Sequence, residues 1–222
     1  KLAISAFEDA INAGTLAIVD AGDVDTEGKT LEQIHDEQYD VVAQVLAQGY
    51  VPLVIGGGHD TAWPTIRALE QQGAPYSTIN IDAHADVRPL KDDMRAHSGS
   101  PFYQMLTQQT SHLMPGGFVE FGLQASSVAR THKQFVADAG MHVYILDEIR
   151  RTGMAHAWDM AWNNVAASGS VYVSLDMDAF ASAYAPGVSA PGADGFQPRD
   201  VSAMLYHAAA SGILRAADIV EL

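Results

Sequence analysis

The 222-residue chain has no cysteine, few basic residues and no long apolar run, and each lack removes a class of function. Without cysteine there are no disulfides, no thiolate metal ligands and no cysteine nucleophile. Twelve lysines and arginines stand against 27 aspartates and glutamates, a formal charge of −15. Nucleic acid and anionic membrane surfaces would repel such a chain, so neither is an expected partner. No stretch is apolar for long enough to span a bilayer. Nothing at the start reads as a signal peptide, and a cytoplasmic location is the expectation. Part of the acidic excess could lie in a site that a bound cation neutralises.

What is present points to a globular fold. Residues are 48% apolar and only 18% charged, and the length fits one domain with a sizeable core. Apolar runs of strand length fall at Thr15–Ala21, Val51–Ile55, Tyr76–Ile81, Phe118–Leu123, His142–Leu146, Val171–Leu175 and Ile213–Val220. Between several of them lie amphipathic stretches such as Leu31–Gln48, Ala62–Gln72, Val128–Ala139 and Val201–Ala210. This alternation predicts a three-layer α/β/α domain around a central, mainly parallel sheet. The runs carry almost no charge over their middles, as strands buried on both faces should.

Three runs end in chemistry. Val51–Ile55 leads into Gly56-Gly57-Gly58-His59-Asp60, Tyr76–Ile81 into Asp82-Ala83-His84-Ala85-Asp86, and Val171–Leu175 into Asp176-Met177-Asp178. Ligands of open α/β sheets bind at the carboxyl ends of strands, where all three clusters would fall. In extended chain, residues two apart project to one side, which pairs Asp82 with His84 and Asp176 with Asp178. Four carboxylates converging in an apolar setting persist only when paired or bound to metal. Two divalent cations balance four aspartates and two neutral imidazoles, whereas one leaves the set at −2. Oxygen and imidazole donors suit manganese, with zinc, iron or cobalt as alternatives. Metals about 3.5–4 Å apart can acidify a shared water into a nucleophile near neutral pH. Each cluster also has a plainer reading taken alone: Asp-x-Asp as a loop or helix cap, His59 as a turn histidine. The glycines lack both the Gly-x-Gly-x-x-Gly spacing and the lysine of phosphate loops.

The blocks GGGHD, NIDAHADVR and SLDMDAF resemble the three signature blocks of the ureohydrolase superfamily, which includes arginase, agmatinase and formimidoylglutamase. The likeness runs from Asp20-Ala21-Gly22-Asp23 to the last residues, and it implies one arginase-like hydrolase domain over residues 1–222. It also implies two Mn2+ per chain. His59, Asp82, Asp86 and Asp176 would hold one ion, and His84, Asp82, Asp176 and Asp178 the other, with Asp82 and Asp176 bridging. Glu221 would bind the amidine or guanidine nitrogens of a small-molecule substrate, unless it is merely a terminal charge. A homo-oligomer is expected.

Within the superfamily, Gly-Gly-Gly-His resembles the formimidoylglutamase branch, where arginases and agmatinases usually carry Gly-Gly-Asp-His. Ser98-Gly99-Ser100-Pro101-Phe102 and Ala185–Pro191 continue the likeness, although Ser98 could serve as a helix cap and the Pro-Gly stretch could simply shape a loop. Asp60 stands where glutamate is more usual, and Ala85 where a bulkier residue is expected. The implied reaction is cleavage of N-formimidoyl-L-glutamate, an intermediate of histidine degradation, to L-glutamate and formamide by a metal-bridging hydroxide. Asp178 would orient that hydroxide. The substrate's two carboxylates call for nearby cations, and Arg88, Lys91 and Arg95 follow the second cluster, with Arg88 equally suited to an internal ion pair. The leaving nitrogen needs a proton, for which His97 is the candidate by position. It lies one residue from the place of the family's shuttle histidine, here Ser98. Alternatives are a guanidino hydrolase such as agmatinase, which releases urea, a single-zinc deacetylase on a related fold, and an inactive metal-binding protein.

Overall fold

The computed structural model describes residues 8–108 and 112–222. Chain order gives α1 (Leu31–Ala47), β1 (Leu53–Ile55), α2 (Ala62–Gln71), β2 (Tyr76–Ile81), α3 (Pro101–Thr107), β3 (Leu113–Leu123) and α4 (Arg130–Asp138). It continues with β4 (His142–Ile145), α5 (Leu146–Thr152), α6 (Met154–Ala166), β5 (Val171–Asp176), α7 (Pro198–Ala210) and β6 (Leu214–Val220). Local chemistry sets several starts. Thr30 and Gln33 form a reciprocal capping box on α1, and Pro198 occupies the first turn of α7, where its missing N–H costs nothing.

All pairings are parallel, in the order β1-β6-β5-β2-β3-β4. Side chains alternate between faces, so each strand feeds two cores. Ile79, Ile81, Phe121, Val173 and Leu175 pack beneath α5, α6 and α7. Tyr76, Phe118, Tyr172 and Ala216 pack beneath α1, α2, α3 and α4. This is the expected three-layer sandwich, with β2 and β5 buried along their whole length. Near the end of β3 the register shifts between Phe121 and Leu123, and Gly122 takes a φ of +108° there. Phe196 presses on that glycine and stacks on Phe121, ring centroids 5.9 Å apart.

Two strand expectations are corrected. Thr15–Ala21 forms no strand, and Ile18 and Val19 are about two-thirds exposed. Nothing among the described residues gives that run a pairing edge or a covering layer. Strand β1 is shorter than its apolar run and forms a sheet edge, so Leu53 and Ile55 are exposed rather than buried on both faces.

Candidate metal centre

The central strands bring the three clusters together. β6, β5 and β2 are neighbours, with Ile81 level with Leu175 and Asp176 level with Val220. The residues just beyond these ends, with the loop after β1, therefore meet at one rim of the sheet. That loop turns sharply at Gly56 and Gly57, whose φ angles of +93° and +79° favour glycine. The Gly56 N–H donates to Ile219 O and the Glu221 N–H to Gly57 O, which ties the loop to the end of β6. Asp86 and Glu221 also hold positive φ, +43° and +56°, a strained backbone that aims two acidic side chains at the same rim.

Two donor groups result. His59, Asp82, Asp86 and Asp176 form one, and Asp82, His84 and Asp178 the other. His59 Nδ1 lies 3.2 Å from Asp82 Oδ2, 3.0 Å from Asp86 Oδ2 and 3.1 Å from Asp176 Oδ2. His84 Nδ1 lies 2.8 Å from Asp178 Oδ2 and 3.6 Å from Asp82 Oδ1. Asp82 thus offers one oxygen to each group, as a bridging carboxylate does. Asp176 stands in the first group through Oδ2, while its Oδ1 accepts the Asp178 N–H at 2.7 Å.

Burial opposes charge on His59, but hydrogen bonds to Asp176, Asp82 and Asp86 prevail and hold its imidazole protonated far above the usual range. His84 is pushed up to about 11, first by Asp178 and then by Asp82. Burial raises Asp176 to about 8 and Asp178 to about 6, reinforced by the Asp82 charge. Asp178 Oδ1 is buried with no hydrogen-bond partner. Divalent cations fit this donor set: carboxylate and imidazole only, carboxylates crowded enough to retain protons, and one buried oxygen left over.

The centre floors a cavity of about 320 Å³ whose wall includes Arg88, Ser98, Ser127, His132, Ser189 and Glu221. Glu221 is fixed there, accepting the His59 N–H on Oε1 at 3.0 Å and the Ser189 hydroxyl on Oε2 at 3.0 Å. Arg88 lies flat across Gly99, whose missing side chain leaves it room, and its guanidinium has no ion-pair partner among the described residues. His132 on α4 is half-buried, and burial and then Arg88 press its pKa down.

Three sequence-predicted residues, Lys91, Arg95 and His97, fall outside the cavity wall. Arg95 lines a separate shallow depression with Lys91, Asp92 and Asp93, and pairs with Asp93 at 3.3 Å. His97 is held by backbone on both sides: Nε2 donates to Pro89 O at 3.0 Å, and Nδ1 accepts the Gly99 N–H at 3.1 Å. Both ring nitrogens of His97 are thus engaged by backbone, and neither faces the cavity.

Sequence reasoning missed the polar residues buried beneath the centre. Asn80 donates to Asp82 Oδ2 at 3.2 Å and to Glu120 Oε2 at 2.9 Å. Ser174 and Asp218 form a second group on the same face. The signal was there: Asn80 and Ser174 each precede a proposed ligand by two residues, and Glu120 and Asp218 are acidic residues inside mainly apolar runs.

A parallel α/β/α sheet with this binuclear donor set at its carboxyl rim defines a ureohydrolase-type domain, and the chain belongs to the arginase family, whose family model matches residues 2–222. Among its relatives are the formimidoylglutamases of Paraburkholderia xenovorans, 35% identical over 93% of this chain and 67% of that protein, and Aeromonas salmonicida, 33% identical over 93% and 66%. A structure of Trypanosoma cruzi formiminoglutamase with Mn2+ superposes with a TM-score of 0.86 at 36% identity, covering 95% of this chain and 69% of that one. Proclavaminate amidino hydrolase from Streptomyces clavuligerus gives 0.80 at 27% identity, over 92% and 66%. The chain spans about two-thirds of the length of the curated relatives it matches.

Proposed function

We propose that the protein hydrolyses N-formimidoyl-L-glutamate to L-glutamate and formamide, a step of histidine degradation, with two manganese ions held by the two donor groups. The observation that carries this reading is one cavity with the paired donor groups at its floor and both Glu221 and an unpaired Arg88 in its wall. When bound, such ions supply Lewis acidity and bring a shared water within reach of deprotonation near neutral pH.

The chain's own residues do the rest. Glu221, held at both oxygens, presents its charge to the amidine N–H groups and orients the formimidoyl carbon over the donor groups. Asp178 Oδ1, without another partner, accepts the proton given up by the attacking water. Arg88 takes a substrate carboxylate in a charge-assisted, bidentate pair. The manganese-bearing T. cruzi formiminoglutamase and the formimidoylglutamase relatives support the choice of metal and substrate.

A guanidino hydrolase is the second reading, favoured by the likeness to proclavaminate amidino hydrolase and by Glu221, which suits a guanidinium equally well. Purified protein loaded with manganese should contain two ions per chain and release formamide from formimidoylglutamate faster than urea from agmatine. Asp82→Ala should abolish turnover and lower metal content. Faster urea release would overturn the substrate and leave the centre standing, whereas one ion or none in active protein would overturn the binuclear reading.

A further inference from the structure

Below the first donor group, on the face covered by α1 to α4, a chain of hydroxyl and carboxyl groups ends on a metal-site histidine. Tyr172, Ser174 and Asp176 alternate along β5 and so share one face. Asp218 on β6 is level with Ser174. The hydroxyls of Tyr172 and Ser174 both donate to Asp218, Ser174 to Oδ1 at 2.6 Å and Tyr172 to Oδ2. With its proton committed to Asp218, Ser174 Oγ has only lone pairs left to offer His59 Nε2, 2.9 Å away. Tyr172, Ser174, Asp218 and His59 are all at most 2% exposed, so water does not compete.

The direction of this chain matters. A neutral imidazole carries one N–H, and the partner of one nitrogen decides which nitrogen keeps its lone pair. If Ser174 accepts, the proton sits on Nε2 and the lone pair on Nδ1, the atom that faces Asp82, Asp86 and Asp176. If Ser174 donated instead, Nδ1 would carry the hydrogen and point it at the cation position. Asp218 prevents that reversal because it takes the serine proton, and Tyr172 occupies its other oxygen.

We propose that Tyr172, Asp218 and Ser174 are positioning residues that lock His59 in its Nε2–H form, and so set the affinity of the cation position His59 serves without touching the ion. The inference rests on the reading of the centre as a metal site. Its test is manganese binding, by competition with a chelator and by metal content, in the wild-type chain and in Tyr172→Phe, Ser174→Ala and Asp218→Asn. Asp218→Asn introduces an N–H donor beside Ser174 and so permits the reversed chain. Ser174→Ala and Asp218→Asn should weaken one of the two ions by about ten- to a hundredfold while the other keeps its affinity. Tyr172→Phe, which keeps the ring and its packing, should give a smaller loss of the same ion. Ser174→Thr retains the hydroxyl and should restore most of the binding. Unchanged affinity in all three variants overturns the proposal. So does equal loss of both ions accompanied by a fall in the metal-free melting temperature that Ser174→Thr shares. Failure of the wild-type chain itself to bind two ions would count instead against the metal-centre reading, which separates the two.

Discussion

At the scale of single residues, the cavity owes much to what is missing at position 99. A Cβ there would overlap the Arg88 guanidinium, so the glycine decides where that cation lies. Arg88→Ala should raise KM for formimidoylglutamate by about ten- to a hundredfold, as loss of a charge-assisted pair does. Gly99→Ala should act in the same direction by displacing Arg88, with two ions still bound in both variants. Steady-state kinetics alongside metal analysis checks this, and an unchanged KM in both would remove Arg88 from substrate recognition. The comparison with Arg95 is instructive. By sequence the two arginines are equivalent neighbours of the second cluster, but only Arg88 is left unpaired and facing the cavity.

At the scale of elements, the bend at the end of β3 depends on Gly122. A side chain there faces two obstacles, a φ of +108° and the Phe196 ring. Gly122→Ala should cost roughly 2–4 kcal/mol by strain and overpacking together. In a chain of this size that lowers the melting temperature by about 5–15 °C. Calorimetry would show it, and a change within a degree or two would mean that the loop bearing Phe196 simply moves aside. Elements were also where the sequence was most legible. Tyr76–Ile81 is a strand with the bounds its apolar run implies, and α1 and α2 end within a residue of their amphipathic stretches. Helices α5 and α6 were not singled out: α5 starts at Leu146, the last residue of the strand run His142–Leu146, and α6 follows it after Gly153 alone. Thr15–Ala21 reads as a strand because periodicity reports what could be buried and is silent on whether a neighbour exists. The ligand clusters were legible because period two and strand ends are local rules. The buried Ser174–Asp218 chain was not, because it depends on which strands become neighbours.

At the scale of the whole molecule, the acidic centre couples stability to pH and to metal. Without cations, Asp176 at about 8 and Asp178 at about 6 keep protons that an unfolded carboxyl would lose. His84, at about 11, keeps one that an unfolded imidazole would lose. The folded chain therefore binds more protons than the unfolded chain from the ordinary carboxyl range upward, and stability must fall as pH rises through that interval. The metal-free melting temperature should thus decline between about pH 6 and 9. Added manganese displaces these protons, so its stabilisation should grow over the same interval. Thermal melts with and without manganese test the sign, and metal-free stability that rises with pH would contradict it. The order of strands carries a kinetic consequence. β6 follows every other strand in sequence and yet lies between β1 and β5, and it leads directly into Glu221. The first donor group draws on the ends of β1, β2 and β5, and β1 reaches the other two only through β6, a pairing of Leu53 with Ala217 that spans most of the chain. Such closures come late because chain entropy is spent before the contacts reward it. The centre should then be unformed at the folding transition state. Manganese would leave the refolding rate nearly unchanged and act almost wholly by slowing unfolding, as stabilisation absent from the transition state does. Stopped-flow refolding and unfolding with and without the ion would reveal it, and acceleration of refolding would place the centre in the nucleus instead. The metal, on this view, is a latch on a finished fold rather than a template for it.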